Sequence, residues 1–281
     1  MPASAPRPDL RPLFPELERR LIVLLRSLSA EDWAKPTICS EWTVKDIAAH
    51  LLDTSVRRIS MGRDQFRSAK PEIHSYPDHV AFLNRLNAEW VVAMRCVSPA
   101  VLIELLEGSS AHVFKHSQSL DLAAPAAVSV AWAGEEQSEN WFDIAREYTE
   151  RWHHQQQIRL ATRRDRGEDA ITSRELYFPV LDTFMQALPH HYREVKAAEG
   201  AVVRIVVSGD AGGSWSIQCA AGVWRKTDTL REATAEVTIP ADIAWRVVTK
   251  GIPRAEAISL SHLRGDRALG EHFFSMLAVM A

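Results

Sequence analysis

The hydrophobic period of the chain changes near Gly200, and this change constrains the fold more than any other feature. Before it, apolar residues recur three and four positions apart, as they do from Phe14 to Leu28, which is the spacing of one helix face. After it, AVVRIVVSG and ATAEVTI alternate with a period near two, which indicates strands. The sequence therefore predicts an α+β protein, with a helical domain over residues 1–198 and a smaller α/β domain over 199–281.

Start and stop signals place the individual elements. Helices are predicted over about 44–62, 78–97, 141–163 and 173–197, with a short one over 99–106 and a closing one over 268–280. Thr43 and Asp46 have the spacing of a capping box at the start of one of these helices. The Ala- and Pro-rich stretch 121–140 is expected to be an irregular crossover containing a short strand at VSVAW, and the two glycines at 212–213 indicate a hairpin turn.

Composition excludes several classes of partner and location. The net charge is −3, from 33 Lys and Arg against 36 Asp and Glu, which argues against a nucleic-acid surface. The run LIVLL is far shorter than the roughly 18 residues of a membrane helix, and the proline-rich start lacks the apolar core of a signal peptide. Three widely spaced cysteines without a CxxC pair fit reduced thiols. A cytoplasmic chain is expected, with its oligomeric state, monomer or dimer, left open.

Of the eleven histidines, His50 and those in the segment 147–159 stand in sequence contexts that favour a functional role. His50 lies in the apolar run IAAHLL, where a buried imidazole needs a partner. Glu150 and His154 are four residues apart, so on a helix they share a face about 6 Å apart along the axis. Facing helices of a bundle build metal sites from such residues. The rival ligand is His153, which points about 100° away from His154, so only one of the two reaches the ion.

Two imidazoles and one carboxylate leave open positions on a metal, as in catalytic zinc sites, although nickel, iron and manganese accept the same ligands. An open divalent ion deprotonates either a bound water or a thiol, so hydrolysis and thiol addition both follow from this site. A non-catalytic metal-containing protein that binds a small molecule is the third alternative. Gln157, Asp46 and Asp53 could orient the imidazoles, but solvation at the surface is the expected role of each.

Three further residues near these motifs are expected to have packing roles. Trp152 lies about 200° around the helix from Glu150 and His154, so it should pack elsewhere, as should Tyr148. Cys39 precedes a helix start, where the pKa of a thiol can be lowered, but no nearby base is evident and packing is expected.

The motifs around these residues resemble those of a known family. The stretch PTICSEWTVKDIAAHL at 36–51 is similar to the Cys–x–x–Trp–Thr–Val–x–Asp–x–x–x–His signature of mycothiol-dependent maleylpyruvate isomerase-like proteins, within the DinB/YfiT-like metalloprotein superfamily. ERWHHQQQI at 150–158 resembles the second metal motif, Glu–x–Trp–x–His–x–x–Asp, with Gln157 where the family usually has Asp. The resemblance continues through GGSW, a Trp-containing helix and RGD, and covers nearly the whole chain.

The resemblance implies a DinB-like four-helix bundle with a divalent metal, zinc before nickel, iron or manganese, and a sterol-carrier-like C-terminal domain. His50, Glu150 and His154 match the three metal ligands. The implied activity is thiol S-transfer or isomerisation, in which a low-molecular-weight thiol of the mycothiol type attacks an electrophilic substrate. Isomerases of the family place an arginine from the C-terminal domain near the metal, and Lys250 and Arg254 are the candidates here.

Overall fold

The computed structural model of the chain describes residues 7–66, 73–229 and 231–279, and these form two compact units. The first unit holds the described residues up to Val128 together with Ser138–Ile171. The second holds Ser129–Gln137 and Thr172–Val279. The sequence-based division at 198 marks the change from helix to strand. The compact units divide earlier, because the helices between 172 and 198 pack with the sheet that follows them.

The first unit is helical, as the period of its apolar residues predicts. Its helices are α1 (Phe14–Arg26), α2 (Ala30–Ala34), α3 (Val44–Arg58), α4 (Tyr76–Met94), α5 (Pro99–Gln118) and α6 (Asn140–Thr162). A π-helical turn, Ile59–Arg63, extends α3. Helix α3 is central, since it contacts α4, α5 and α6, and its Val44, Ile47 and Ala48 are fully buried.

Helix α5 is much longer than predicted, because it continues to Gln118 rather than ending near residue 106. Its buried face beyond that point consists of Ser110, Val113 and Ser117. The two serines have the spacing of the core face, but serine is not hydrophobic. The apolar periodicity of the sequence therefore stops near residue 106, although the helix continues.

The second unit joins short helices to a mixed five-stranded sheet. Its helices are α7 (Arg174–Phe184), α8 (Leu188–His191), α9 (Ala241–Val248), α10 (Arg254–Ser259) and α11 (Arg267–His272), and its strands are β1 (Val202–Ser208), β2 (Gly213–Ala220), β3 (Val223–Thr227), β4 (Ala235–Pro240) and β5 (His262–Gly265). The strand order is β3-β2-β1-β4-β5, with β1 and β4 parallel and the other pairs antiparallel. The hairpin predicted at the two glycines joins β1 to β2. The α+β fold class is thereby confirmed.

Three local predictions for the C-terminal half and the crossover were wrong, and one strand was missed. The helix predicted over 173–197 ends at Phe184, and Pro189 lies in the first turn of α8, where a helix restarts. The closing helix ends at His272, before a 3-10 turn, and position 280 lies outside the described residues. VSVAW forms no strand but leads into a 3-10 turn, Ala131–Ala133, and strand β5 had no signal in the sequence.

Two contacts tie distant parts of the second unit together. Gly134 has φ +83°, and a Cβ atom there would lie 2.2 Å from Nδ1 of His190, so only glycine fits. His191 and His272 bond reciprocally, each Nε2 donating to the other's carbonyl oxygen at 2.9 and 3.1 Å, with their rings stacked 4.3 Å apart. Both histidines are half-buried, and His191 is the last residue of α8. In the ranges described, no helix has the length and apolarity that a membrane span needs.

Candidate metal centre

Helix α3 places His50, and its start is fixed by the predicted capping box. The amide of Asp46 donates to Oγ1 of Thr43, and the amide of Thr43 donates to Oδ2 of Asp46 at 3.0 Å. These bonds satisfy amides that would otherwise lack partners in the first turn. His50 follows one turn later on the buried face and is 6 % exposed, among Ile47 and Leu51 of the core.

Helix α6 carries the other two predicted metal ligands, Glu150 and His154. Nε2 of His154 lies 3.4 Å from Oε2 of Glu150, one turn earlier. Each of His50, Glu150 and His154 offers one ligand atom, and these atoms lie within 4.8 Å of one another. The rival, His153, is outside this group, and its Nδ1 lies 2.9 Å from the carbonyl oxygen of Thr149, to which it donates. The structure thus brings together the three residues that the sequence singled out.

The electrostatics of the site favour a neutral His50 and an ionised Glu150. Burial, followed by the charge of His154, lowers the pKa of His50 well below its usual value. Burial likewise lowers the pKa of His153 to about 3. Burial acts to raise the pKa of Glu150, but the contact with His154 and the positive charge of Arg146 act against it, and the pKa is lowered. Neutral imidazoles and an anionic carboxylate are the protonation states that a metal ion requires.

The environment of one buried nitrogen indicates whether these residues fit a metal ion. Nδ1 of His50 is buried and has no hydrogen-bond partner among the described residues. An unpartnered buried polar atom is costly, on the order of 1–3 kcal/mol. Coordination through that atom would relieve the cost, and two nitrogen donors with one carboxylate oxygen suit a divalent transition metal. The residues therefore fit the ion.

The side chains expected to be solvated are instead buried and paired. Gln157 is 5 % exposed, and its Oε1 lies 2.9 Å from Nδ1 of His154. Asp53 is 2 % exposed and accepts from Nε of Arg57 at 2.7 Å, while Asp46 caps α3. The expectation of surface solvation was wrong for all three, since helical spacing alone does not show which polar face meets another helix.

Two tryptophans of the motifs have separate environments. The Trp42 ring lies 4.8 Å from the His50 ring and 6.3 Å from the His154 ring, so it borders the site. Trp152 is fully buried and donates from Nε1 to the carbonyl oxygen of Ile171 at 2.8 Å. Trp152 packs away from the ligands, as its helical angle predicts.

The sequence reasoning missed two arginines near the ligands. Arg146 lies one turn before Glu150 and acts on its charge, while Nη2 pairs with Oδ1 of Asp143 at 2.8 Å. Arg57 acts on His50 and pairs with Asp53. The spacing of four residues from Arg146 to Glu150 was a usable signal, because residues four apart share a helix face.

The remaining residues singled out by sequence are not members of this group. Lys250 and Arg254 belong to the second unit; both are exposed, and Nη2 of Arg254 donates to the carbonyl oxygen of Glu271 at 3.0 Å. Cys39 is half-buried against the core around α3, and burial raises the pKa of its thiol. Its environment is that of a packing residue.

Comparisons with known proteins agree with this architecture. A solved structure of a mycothiol-dependent maleylpyruvate isomerase matches with a TM-score of 0.52 and 12 % identity, covering 86 % of this chain and 88 % of that one. A mutant of that enzyme matches equally well. At this identity the likeness shows the fold. No curated protein matches the sequence.

The family model is more specific about the helical part. The model described as the mycothiol maleylpyruvate isomerase N-terminal domain matches residues 14–159, which run from the first residue of α1 into the last turns of α6. The match spans more than half of the chain and contains all three members of the candidate metal centre. The chain therefore belongs to the family of the mycothiol maleylpyruvate isomerase N-terminal domain.

Proposed function

We propose that the protein is a divalent-metal-dependent enzyme that directs a low-molecular-weight thiol of the mycothiol type at an electrophilic substrate, for isomerisation or S-transfer. The convergence of His50, Glu150 and His154 within 4.8 Å carries this proposal. The family match and the likeness to a mycothiol-dependent maleylpyruvate isomerase support the choice of a thiol as co-substrate. Zinc is the proposed metal, because its catalytic sites use three such ligands.

The residues around the centre have distinct parts in this function. When bound, a divalent ion supplies an open position that lowers the pKa of an incoming thiol and holds the thiolate. Glu150 provides the single negative charge, and Gln157 holds the proton of His154 on Nδ1, so that Nε2 keeps its lone pair. The indole of Trp42 borders the His50 ring, with 4.8 Å between the ring centroids, and provides an apolar wall on that side.

Lys250 and Arg254 are proposed to bind carboxylates of the substrate or the thiol. Both are exposed cations, and Arg254 uses only one of its N–H groups in the bond to Glu271. Arg254→Met and Lys250→Met should raise KM while leaving the metal content unchanged. An unchanged KM in both variants would remove them from the proposal.

The decisive experiment combines metal analysis with a test of thiol dependence. Elemental analysis of the purified protein should find a divalent metal that His50→Ala and Glu150→Ala remove and that the exposed control His112→Ala retains. The metal-loaded protein is then assayed for consumption of an electrophile, monochlorobimane, with and without mycothiol. Turnover that requires the thiol supports the proposal. Turnover in water alone indicates a hydrolase, and binding without turnover indicates a binding protein.

A further inference from the structure

Gln157 distinguishes the two imidazoles of the metal centre. Its Oε1 lies 2.9 Å from Nδ1 of His154, and because an amide oxygen can only accept, Nδ1 must carry the proton. In the neutral ring Nε2 of His154 then keeps the lone pair that a metal ion needs, and it lies 3.4 Å from Oε2 of Glu150. His50 has no such bond on its buried Nδ1 among the residues described, and its ring is bordered by Trp42 instead.

The acceptor on His154 is also neutral. Outer partners of metal-binding histidines are carboxylates, carbonyls or waters, and a carboxylate would add a second negative charge to the centre. Here Glu150 is the one carboxylate of the candidate metal centre, and the nearby Asp53 and Asp143 pair with Arg57 and Arg146. With a divalent ion the centre would keep one net positive charge, and an anion at the open position would neutralise it.

We propose that Gln157 is a positioning residue that sets the tautomer of His154 and, because its amide is neutral, gives the open metal position a preference for an anionic ligand such as a thiolate. This inference rests on the metal centre of the proposed function. It adds a reason, within this chain, for an anionic rather than a neutral ligand.

Two variants separate the two roles of Gln157. Gln157→Leu removes the acceptor and keeps the size of the side chain, while Gln157→Glu keeps an acceptor and adds a charge. Gln156→Leu is the matched control, because Gln156 is equally buried, at 5 % exposure, and its Oε1 has no partner among the described residues. The measurements are histidine tautomers by ¹⁵N NMR on the metal-free protein, zinc affinity by chelator competition, and azide binding to the cobalt-loaded protein by absorption.

We expect Gln157→Leu to lose the dominance of the Nδ1–H form of His154 and to bind zinc about 10- to 100-fold more weakly, the usual effect of removing an outer partner. Gln157→Glu should bind zinc more tightly and azide about tenfold more weakly, because the centre becomes neutral. The control Gln156→Leu should match the unmodified protein in tautomer and zinc affinity.

Two results would overturn the inference: an unchanged tautomer and zinc affinity in Gln157→Leu, or azide binding in Gln157→Glu as tight as in the unmodified protein. Failure of the metal centre itself would be seen separately, as zinc affinity unaffected by His50→Ala and His154→Ala. The tautomer measurement needs no metal, so it tests the positioning role of Gln157 even in that case. If Gln157→Leu does not fold, Gln157→Glu still tests the preference for an anion.

Discussion

Nη1 of Arg151 on α6 lies 3.2 Å from Oε2 of Glu18 on α1, and both side chains are buried. The same guanidinium donates to Oε1 of Glu147 at 3.0 Å and to the hydroxyls of Ser110 on α5 and Ser55 on α3. Burial raises the pKa of Glu18, and the attraction of Arg151 only partly offsets it. One cation thus connects four helices of the bundle, including both helices that carry the metal-centre residues.

Removing that cation should destabilise the bundle strongly. In Arg151→Met we expect the free energy of unfolding to fall by about 3–5 kcal/mol, because Glu18 would lose its ion-pair partner and Glu147 would keep only the longer pair with Arg58, at 3.6 Å. Urea denaturation measures this difference. The control is Arg19→Met, whose exposed pair with Glu16 is screened by solvent and should contribute far less. Equal losses in the two variants would contradict the assignment.

The adjacent histidines should differ in their effect on metal content. His154→Ala should abolish stoichiometric zinc binding, because it removes a member of the convergent group. His153→Ala should retain about one zinc ion per chain, because that ring is outside the group and donates to the carbonyl of Thr149. Elemental analysis after dialysis decides between them. Retention of zinc by His154→Ala, with loss from His153→Ala, would make His153 the ligand instead.

Gly134 should be far less replaceable than another glycine of the second unit. Gly134→Ala adds a methyl group 2.2 Å from Nδ1 of His190, at φ +83°. Overpacking costs about 1–3 kcal/mol, in addition to about 1 kcal/mol for the left-handed backbone. Gly222→Ala, at φ +74° with open space around it, carries only the backbone cost. Thermal unfolding should show the larger loss at 134, and His190→Ala should restore part of it; without that rescue, the steric explanation is wrong.

His191 should make the second unit less stable in acid. Burial lowers its pKa from 6.5 to about 4, so the unfolded chain binds the proton more readily. The stability contributed by neutral His191 is complete above pH 6.5 and is lost as the pH falls towards 4. His191→Gln retains a donor for the carbonyl of His272 but does not titrate. Urea midpoints from pH 7.5 to 4.5 should fall less steeply in this variant, and parallel curves would refute the assignment.

Local chemistry in the sequence predicted much of the candidate centre. The capping box of Thr43 and Asp46 depends on residues three apart, and the structure has both of its bonds. The contact between Glu150 and His154, which are one helical turn apart, likewise depends only on neighbouring residues. The same is true of the orientation of Trp152 away from them. The convergence of His50 with these residues needed the added assumption that two helices face each other.

The wrong predictions share a physical cause, which is that distant partners decide them. Ser110 is a poor helix residue and has no hydrophobic signal, yet it is buried because Glu18 and Arg151 bind its hydroxyl. Asp53 and Gln157 looked like solvated positions because each is polar. Their burial depends on Arg57 and His154, whose side-chain directions become known only when the helices are packed.

The assignment of Ser129–Gln137 to the second unit has a consequence for synthesis of the chain. This segment leaves the ribosome before α6 of the first unit, but its partners lie in Thr172–Val279. At about 5–20 residues per second, the last of those partners follows on the order of 10 s later. The segment with Gly134 and the buried Trp132 therefore stays without its native contacts while the helical unit can already close. During that interval the indole of Trp132 has not yet reached the buried position that it holds in the folded chain.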